Sequence, residues 1–267
     1  MKIPPHPSAI VAPEAEVGED VSIGPFAIIE PETRLGDRCQ IAAHAIIKRG
    51  TRLGANVSVD HHAVVGGAPQ DLGFDIATES GVEIGAGTSI REFATIHRAS
   101  KSGHFTIVGA NCYLMACSHV AHDCVLGEGV VVANTALLAG HVHVGDKAFV
   151  SGGVVVHQFV RLGESVMTSG NARLGMDVPP YVVALERNNV SGLNLVGLRR
   201  RGFSREVIAD LKNCYRAVYQ DGKFNFPANA AAALAAGLPQ TSEGRNFLAF
   251  FTDGESSRRQ FARPRSE

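Results

Sequence analysis

One aliphatic side chain recurs every six residues through most of this 267-residue chain. Val11, Val17, Ile23, Ile29, Leu35, Ile41, Ile47, Leu53, Val59 and Val65 open the series, and every one is Val, Ile or Leu. Six is neither the 3.6 period of a helix nor the simple alternation of a strand. It suits a solenoid in which each short flat strand sends one aliphatic side chain inward. A second rhythm overlies the first. Gly18, Gly36 and Gly54 are 18 residues apart, and each follows an inward aliphatic. Three hexads then make one three-sided coil, and glycine marks a corner that needs a sharp or left-handed turn.

The beat is broken twice. Residues 66 to 81 (GGAPQDLGFDIATESG) read as a loop leaving the coil wall, and residues 98 to 105 (RASKSGHF) as a second excursion. Ile84, Ile90 and Ile96 resume the repeat between them, and Val108 to Leu162 continue it, with Gly109, Gly127, Gly145 and Gly163 again at every eighteenth position. It fades after Gly175, giving roughly nine or ten coils. Residues 183 to 198 read as an extended link. Ser204 is placed to cap a helix with Val207, Ile208, Leu211, Cys214, Tyr215, Val218 and Tyr219 on one face. Two more helices are predicted at 228–236, ended by Gly237, and at 243–252, and the Arg-bearing tail from Gly254 is predicted to be mobile. The expected fold class is mainly β: a solenoid of hexapeptide repeats over 1–182, then a small α-helical domain over 183–267.

Composition narrows the function classes. A formal net charge of −1 gives no basic field for nucleic acid. Five cysteines without a CxxC pair argue against a disulfide framework or a zinc knuckle. The start has no apolar signal core and no run is long enough for a membrane span. The expectation is a soluble cytoplasmic protein. Apolar residues off the beat, such as Val131, Leu137, Val155, Phe159 and Met167, need another surface to cover them, and homo-oligomerisation through the side walls supplies one.

Polar chemistry concentrates in one stretch that keeps the beat intact. Residues 118 to 143 hold His119, His122, His141 and His143, with His157 beyond. His141 lies 18 residues after Asp123, so the two belong to neighbouring coils, about 4.8 Å apart along the stack. His122 is the best general-base candidate, since imidazole is partly neutral near pH 7 and can take a proton from a hydroxyl or an amine. Asp123 can fix its tautomer only if the pair sits at a corner, because neighbours on a flat strand point to opposite faces. Gly140, 18 residues after His122, lets a substrate approach the backbone, and its N–H is an oxyanion donor candidate. His157-Gln158-Phe159 lies one coil further on, with hydrogen-bonding groups and an aromatic wall. The same imidazoles also suit Zn²⁺, which keeps a solenoid metal hydratase open. Arg199–Arg201 are equally a phosphate or acidic-partner site and a solvated helix start.

IREFATIHR (90–98), HVAHDC (119–124), LAGHVHVG (138–145), VHQF (156–159), DVPPYV (177–182) and GLRRRGFSRE (197–206), on a hexapeptide solenoid, closely resemble the acyl-[acyl-carrier-protein]–UDP-N-acetylglucosamine O-acyltransferases. The resemblance covers nearly the whole chain. It implies a left-handed parallel β-helix and a homotrimer with active sites between subunits. It implies transfer of a 3-hydroxyacyl chain from acyl carrier protein to the 3-position of UDP-N-acetylglucosamine, the first step of lipid A biosynthesis. His122 matches the family's general base, Asp123 its partner and Gly140 its backbone oxyanion donor. His119, His141, His157 and Gln158 match substrate-positioning residues, and Gln70 and Asp71 match residues that bind the nucleotide sugar. Asn194, Arg200 and Arg201 match residues near the nucleotide phosphates and the carrier protein. Met167 and Gly170 lie where the family measures acyl chain length. No metal or other cofactor is implied. One departure stands out: Gly73 occupies the place where the family commonly has lysine after Gln-Asp-Leu, and an acceptor with a 3-amino group is the alternative that this leaves open.

Overall fold

The computed structural model describes residues 4–219, 225–253 and 260–265. Two-residue strands repeat in threes and stack into three parallel sheets, here called walls A, B and C. Wall A has nine strands, from Ile10–Val11 to Arg173–Leu174, and wall B has eight, from Glu16–Val17 to Arg161–Leu162. Wall C begins at Ser22–Ile23. Register follows the 18-residue coil: Thr95, His119, Leu137 and Val155 are successive partners along wall A. The chain is a left-handed parallel β-helix of about nine coils with a small helical region after it. Parallel crossovers are ordinarily right-handed because strands twist, and strands of two residues are too short to carry that twist.

The hexad fills the prism with two side chains. The expected beat residue, such as Ile96, Val120 or Leu138, is fully buried, and so is a small residue two positions before the strand's inward residue, as at Ala94 and Ala136. Cys39, Cys112 and Cys124 take that small position and are buried, and all five cysteines are free. The core is therefore large aliphatic layers alternating with small ones, which lets three walls close at interior density.

The glycine rhythm has a different cause from the one its spacing suggests. Left-handed corners are taken by other residues, among them Asp123 (φ 60°), His141 (φ 61°) and Phe159 (φ 67°). Each such corner costs about 1–2 kcal/mol. A coil-to-coil hydrogen bond offsets that, as where His141 N–H donates to the His122 carbonyl at 3.0 Å. The glycine row instead stands where backbones of successive coils touch. A Cβ on Gly109 would lie 2.4 Å from the Gly127 carbonyl oxygen, and one on Gly36 2.6 Å from the Gly54 carbonyl carbon. Gly109→Ala is expected to destabilise the protein by about 3 kcal/mol in denaturant unfolding. Gly73→Ala, with nothing nearer than 3.5 Å, should change stability by less than about 0.5 kcal/mol.

Residues 183 to 198 correct the expected link. Val182–Leu185 adds a strand to wall C, Asn189–Leu193 pairs with it antiparallel, and helix α1 (Leu195–Arg200) follows. The non-beat apolar pattern there packs a hairpin end. Helices α2 (Arg205–Tyr219), α3 (Phe226–Ala235) and α4 (Ser242–Thr252) come where the helical pattern places them. Ser204 Oγ accepts from Val207 N–H at 3.3 Å, as its capping position predicts. The tail is not mobile throughout: Phe261 and Ala262 are buried, and Arg263–Pro264 pairs with Asn189–Val190. Residues 254–259 and 266–267 of that prediction lie outside the described residues. Arg161 anchors the helices to the last coils. It donates to Asp177 at 2.8 Å and to the carbonyls of Phe250 and Asp253, and lies 4.3 Å over the Phe250 ring. Among the described residues no helix is long and apolar enough to cross a membrane.

Candidate active site

One edge of the prism, where wall A turns into wall B, carries both loops and the polar cluster. The loop between Val64–Gly67 and Gly81–Ile84 leaves this edge, the next coil's loop between Thr95–His97 and Phe105–Val108 leaves it too, and His122-Asp123 sit there one coil later. Gly140-His141 and Gln158-Phe159 occupy the same corner in the following coils, in 18-residue register. The cluster is thus a column along the edge, with the two loops stacked on one end of it.

The corner solves the problem of adjacent residues on a strand. Asp123 is left-handed, which turns its carboxylate back to His122, and Nδ1 of His122 lies 2.7 Å from Asp123 Oδ2. Nε2 is left on the far side of the ring. His141 Nε2 lies 3.8 Å from the same oxygen, and its ring stands edge-on to His122 at 5.1 Å. Phe159 stacks flat on His141 at 4.6 Å and clamps its plane. Gly140 lies directly under the base: a Cβ there would be 2.6 Å from His122 Cε1 and 2.7 Å from Nε2. Among the described residues nothing accepts a hydrogen bond from Gly140 N–H. His119, on wall A one step before the corner, has Nδ1 2.8 Å from the Thr95 hydroxyl.

The second loop and the strand that follows it, Phe105–Val108, supply partners that the sequence reading missed. Ser100 N–H donates to both Asp123 oxygens at 3.1 and 3.2 Å, and Asp123 N–H donates to Thr106 Oγ1 at 2.8 Å. Burial works to raise the Asp123 carboxyl, yet hydrogen bonds from Ser100 and His122 and the nearby His141 hold it below its usual range. Burial lowers His141, with His122 and Lys101 acting in the same sense and Asp123 against. Only the interruption of the beat marked this loop in the sequence, and nothing in spacing tells where a loop folds back.

His97 was also missed as a member of the cluster. It is buried, its Nδ1 has no partner, and its ring meets His119 edge-on at 4.7 Å. Burial, then the charges of His119 and His122, push it from 6.5 to about 4. A histidine whose folded value lies below its unfolded one resists its proton when folded. The stability it allows is complete above about 6.5 and is lost as pH falls toward 4. At pH 5 the loss from this shift is about 2 kcal/mol. Unfolding free energies at pH 7.5 and pH 5 are expected to differ less in His97→Gln than in the parent by that amount, as denaturant titrations at the two pH values would measure.

Of the remaining expected site residues His157 stands at this same edge beside Gln158, and the others lie apart from the column within one chain. Gln70 and Asp71 are exposed on the first loop, two coils or about 10 Å along the stack from His122, where Asp71 Oδ1 accepts from Gly73 N–H. His157 is exposed, with Nδ1 3.2 Å from the Gln158 carbonyl. Asn194 caps α1 by accepting from Gly197 N–H at 3.0 Å and is buried. Arg201 reaches Ser165 Oγ and the Lys147 carbonyl, tying α1 to the solenoid, whereas Arg200 is exposed. Met167 and Gly170 are on or beside wall C, the wall opposite the His122 edge. Around Gly170 the nearest atom to an added Cβ is 3.6 Å away.

Comparison with known proteins shows the family. Residues 177–261 match the second-domain model of the UDP-N-acetylglucosamine O-acyltransferases. Residues 14–49 and 105–140 match the bacterial transferase hexapeptide repeat and flank both loops. The acyl-[acyl-carrier-protein]–UDP-N-acetylglucosamine O-acyltransferase of Thiobacillus denitrificans (strain ATCC 25259 / T1) is 45% identical over 252 residues, 94% of this chain and 96% of that protein. This chain belongs to the acyl-[acyl-carrier-protein]–UDP-N-acetylglucosamine O-acyltransferase family. The member from Campylobacter concisus (strain 13826) is 44% identical over 160 residues, so there the chain spans 61% of the relative's length. The crystal structure of the UDP-N-acetylglucosamine acyltransferase of Bacteroides fragilis 9343 superposes with a TM-score of 0.86 at 41% identity, over 92% of this chain and 95% of that one. Family membership extends over both the solenoid and the helical region.

Proposed function

We propose that this protein transfers a 3-hydroxyacyl chain from acyl carrier protein to the 3-hydroxyl of UDP-N-acetylglucosamine, the first step of lipid A biosynthesis, in the cytoplasm. His122 is the general base. The observation that carries this reading is the His122–Asp123 contact of 2.7 Å over a glycine. Asp123 holds the Nδ1 tautomer, so the free Nε2 takes the proton of the 3-hydroxyl. The sugar oxygen attacks the thioester carbonyl, and the Gly140 N–H, which has no partner among the described residues, receives the developing oxyanion. Collapse of the tetrahedral intermediate breaks the carbon–sulfur bond, and the imidazolium returns its proton to the departing thiolate. The products are an ester and the thiol of the carrier protein. No cofactor enters these steps.

The site is completed by a second copy in a homotrimer. Outward residues on wall A are largely apolar, including Ile10, Ile28, Ile46, Leu137 and Val155, and wall C carries Ser22, Gln40, Ser58 and Ser89 in its first coils and Tyr113, Val131, Phe149 and Met167 in its later ones. Wall B carries Glu16, Arg34, Arg52, Glu83 and Arg161. A closed ring in which wall A of one copy meets wall C of the next covers apolar wall A and the apolar later coils of wall C. It also brings Met167 and Gly170 of one copy beside the His122 edge of its neighbour, which no single prism can do. His119, His141, His157 and Gln158 then position the sugar and the donor, Gln70 and Asp71 the nucleotide sugar, and Asn194, Arg200 and Arg201 the phosphates and the carrier protein.

The test is mass spectrometry of products from the protein, 3-hydroxyacyl carrier proteins of several lengths and UDP-N-acetylglucosamine. One acylated UDP-sugar is expected. A product only with the 3-amino analogue transfers the reading to amide formation, and no product with either acceptor overturns it.

A further inference from the structure

We infer that His122, Asp123 and His141 form a binding site for a zinc-class divalent cation, whose occupancy blocks catalysis. The blocking half of this inference rests on the function proposed above, and the binding half does not. Each of the three residues offers one ligand atom, and those atoms all lie within 4.8 Å of one another, the one such grouping among the described residues. Tetrahedral zinc with bonds of about 2.0–2.1 Å sets its donors ~3.4 Å apart. Here the His122 Nδ1 and His141 Nε2 distances to Asp123 Oδ2, 2.7 and 3.8 Å, fall on either side of that spacing. Small side-chain rotations therefore suffice, and the backbone need not move.

The donor set selects the cation. Two imidazoles and one carboxylate suit zinc, cobalt and nickel, whereas magnesium and calcium want oxygen donors in larger number. The outer contacts that orient metal ligands are in place without a metal. Ser100 N–H holds the Asp123 carboxylate, and Phe159 fixes the plane of His141. The ligands come from adjacent coils of a hydrogen-bonded ladder, so their backbones are rigid. Their side chains are partly open, with His141 30% exposed, which leaves an approach path and coordination positions for water.

The other imidazole groups of the molecule lack one of these features. His44 and His62 stack face to face at 4.8 Å between Phe26 and Phe93, so their rings lie one over the other with no carboxylate between. His97 and His119 likewise have no carboxylate beside them. A cation bound at His122 Nδ1 takes Asp123 away from that nitrogen and leaves the ring's proton on Nε2, which can then no longer accept the proton of the acceptor hydroxyl. Binding and acyl transfer then exclude each other.

Metal-free protein titrated with Co²⁺ is expected to bind one ion per chain with visible absorption of low-coordinate cobalt, and Zn²⁺ should displace it. His141→Ala and Asp123→Asn are expected to weaken binding at least tenfold while keeping the far-ultraviolet circular dichroism of the parent. His104→Ala is expected to change neither binding nor activity. In the acyl-transfer assay, Zn²⁺ should inhibit over the concentration range of its measured binding, a chelator should restore the rate, and Mg²⁺ should have no effect. No stoichiometric binding, or binding unchanged in both folded cluster variants, overturns the site. Zinc that binds but leaves the rate unchanged or raises it overturns the exclusion. Absence of acyl transfer from the metal-free parent would instead count against the proposed function, with the cobalt titration still deciding the site.

Discussion

His122→Ala is expected to fold normally and to lower the rate of acyl transfer about 10³-fold, within the range that general-base removal produces. The loss should appear in kcat, with KM for the UDP-sugar little changed, because the imidazole stabilises a proton transfer that exists only in the transition state. Folding should be preserved because the side chain is outside the prism interior and its contacts are with Asp123 and His141. Asp123→Asn should cost less, since it removes the orienting carboxylate and keeps the base. Single-turnover rates with saturating donor make the measurement. A rate for His122→Ala within tenfold of the parent would mean that another group takes the proton.

Gly140→Ala is expected to lower kcat at least about 10²-fold with almost no change in unfolding midpoint. The added Cβ would stand 2.6 Å from His122 Cε1, and the nearest three atoms it meets all belong to that ring. A side chain can move where a backbone cannot, so the ring turns away from Asp123 and the cost falls on catalysis. A base displaced by about 1 Å loses roughly that factor. The alanine keeps its N–H, so the effect reports the seating of the base and not the oxyanion contact. In a His122→Ala background the same substitution should add little, and a full second 10²-fold loss would show that Gly140 acts independently of His122.

These two residues illustrate what spacing can and cannot carry. The pairing of the columns 122–140–158 and 123–141–159 was legible because a coil of 18 residues repeats without slippage between Val108 and Leu162. The cooperation of His122 with Asp123 was not, because it needs a left-handed corner at Asp123, and a two-residue strand looks the same in sequence whichever side the turn falls. The glycine row was legible as a rhythm and misread as to cause. Its residues stand where coil meets coil, and left-handed corners went to residues such as Asn111, Asp123 and His141. The hairpin at 182–193 was hidden because it abandons the beat, and the docked tail at 260–265 because its few apolar residues are buried only by partners distant in the chain.

By itself the sequence determined the solenoid, its coil length, the positions of both loops and of the three longer helices, and the candidate base. Those follow from local repetition, in which each hexad has the same inward side chains and needs only its neighbours. Tertiary structure alone decided that Ser100 and Thr106 hold Asp123, that His97 is buried behind His119, and that Phe159 clamps His141. It also decided that Met167 lies on the wall opposite His122. Those depend on where loops fold back and which wall a corner joins, distances through space that an interval along the chain does not encode.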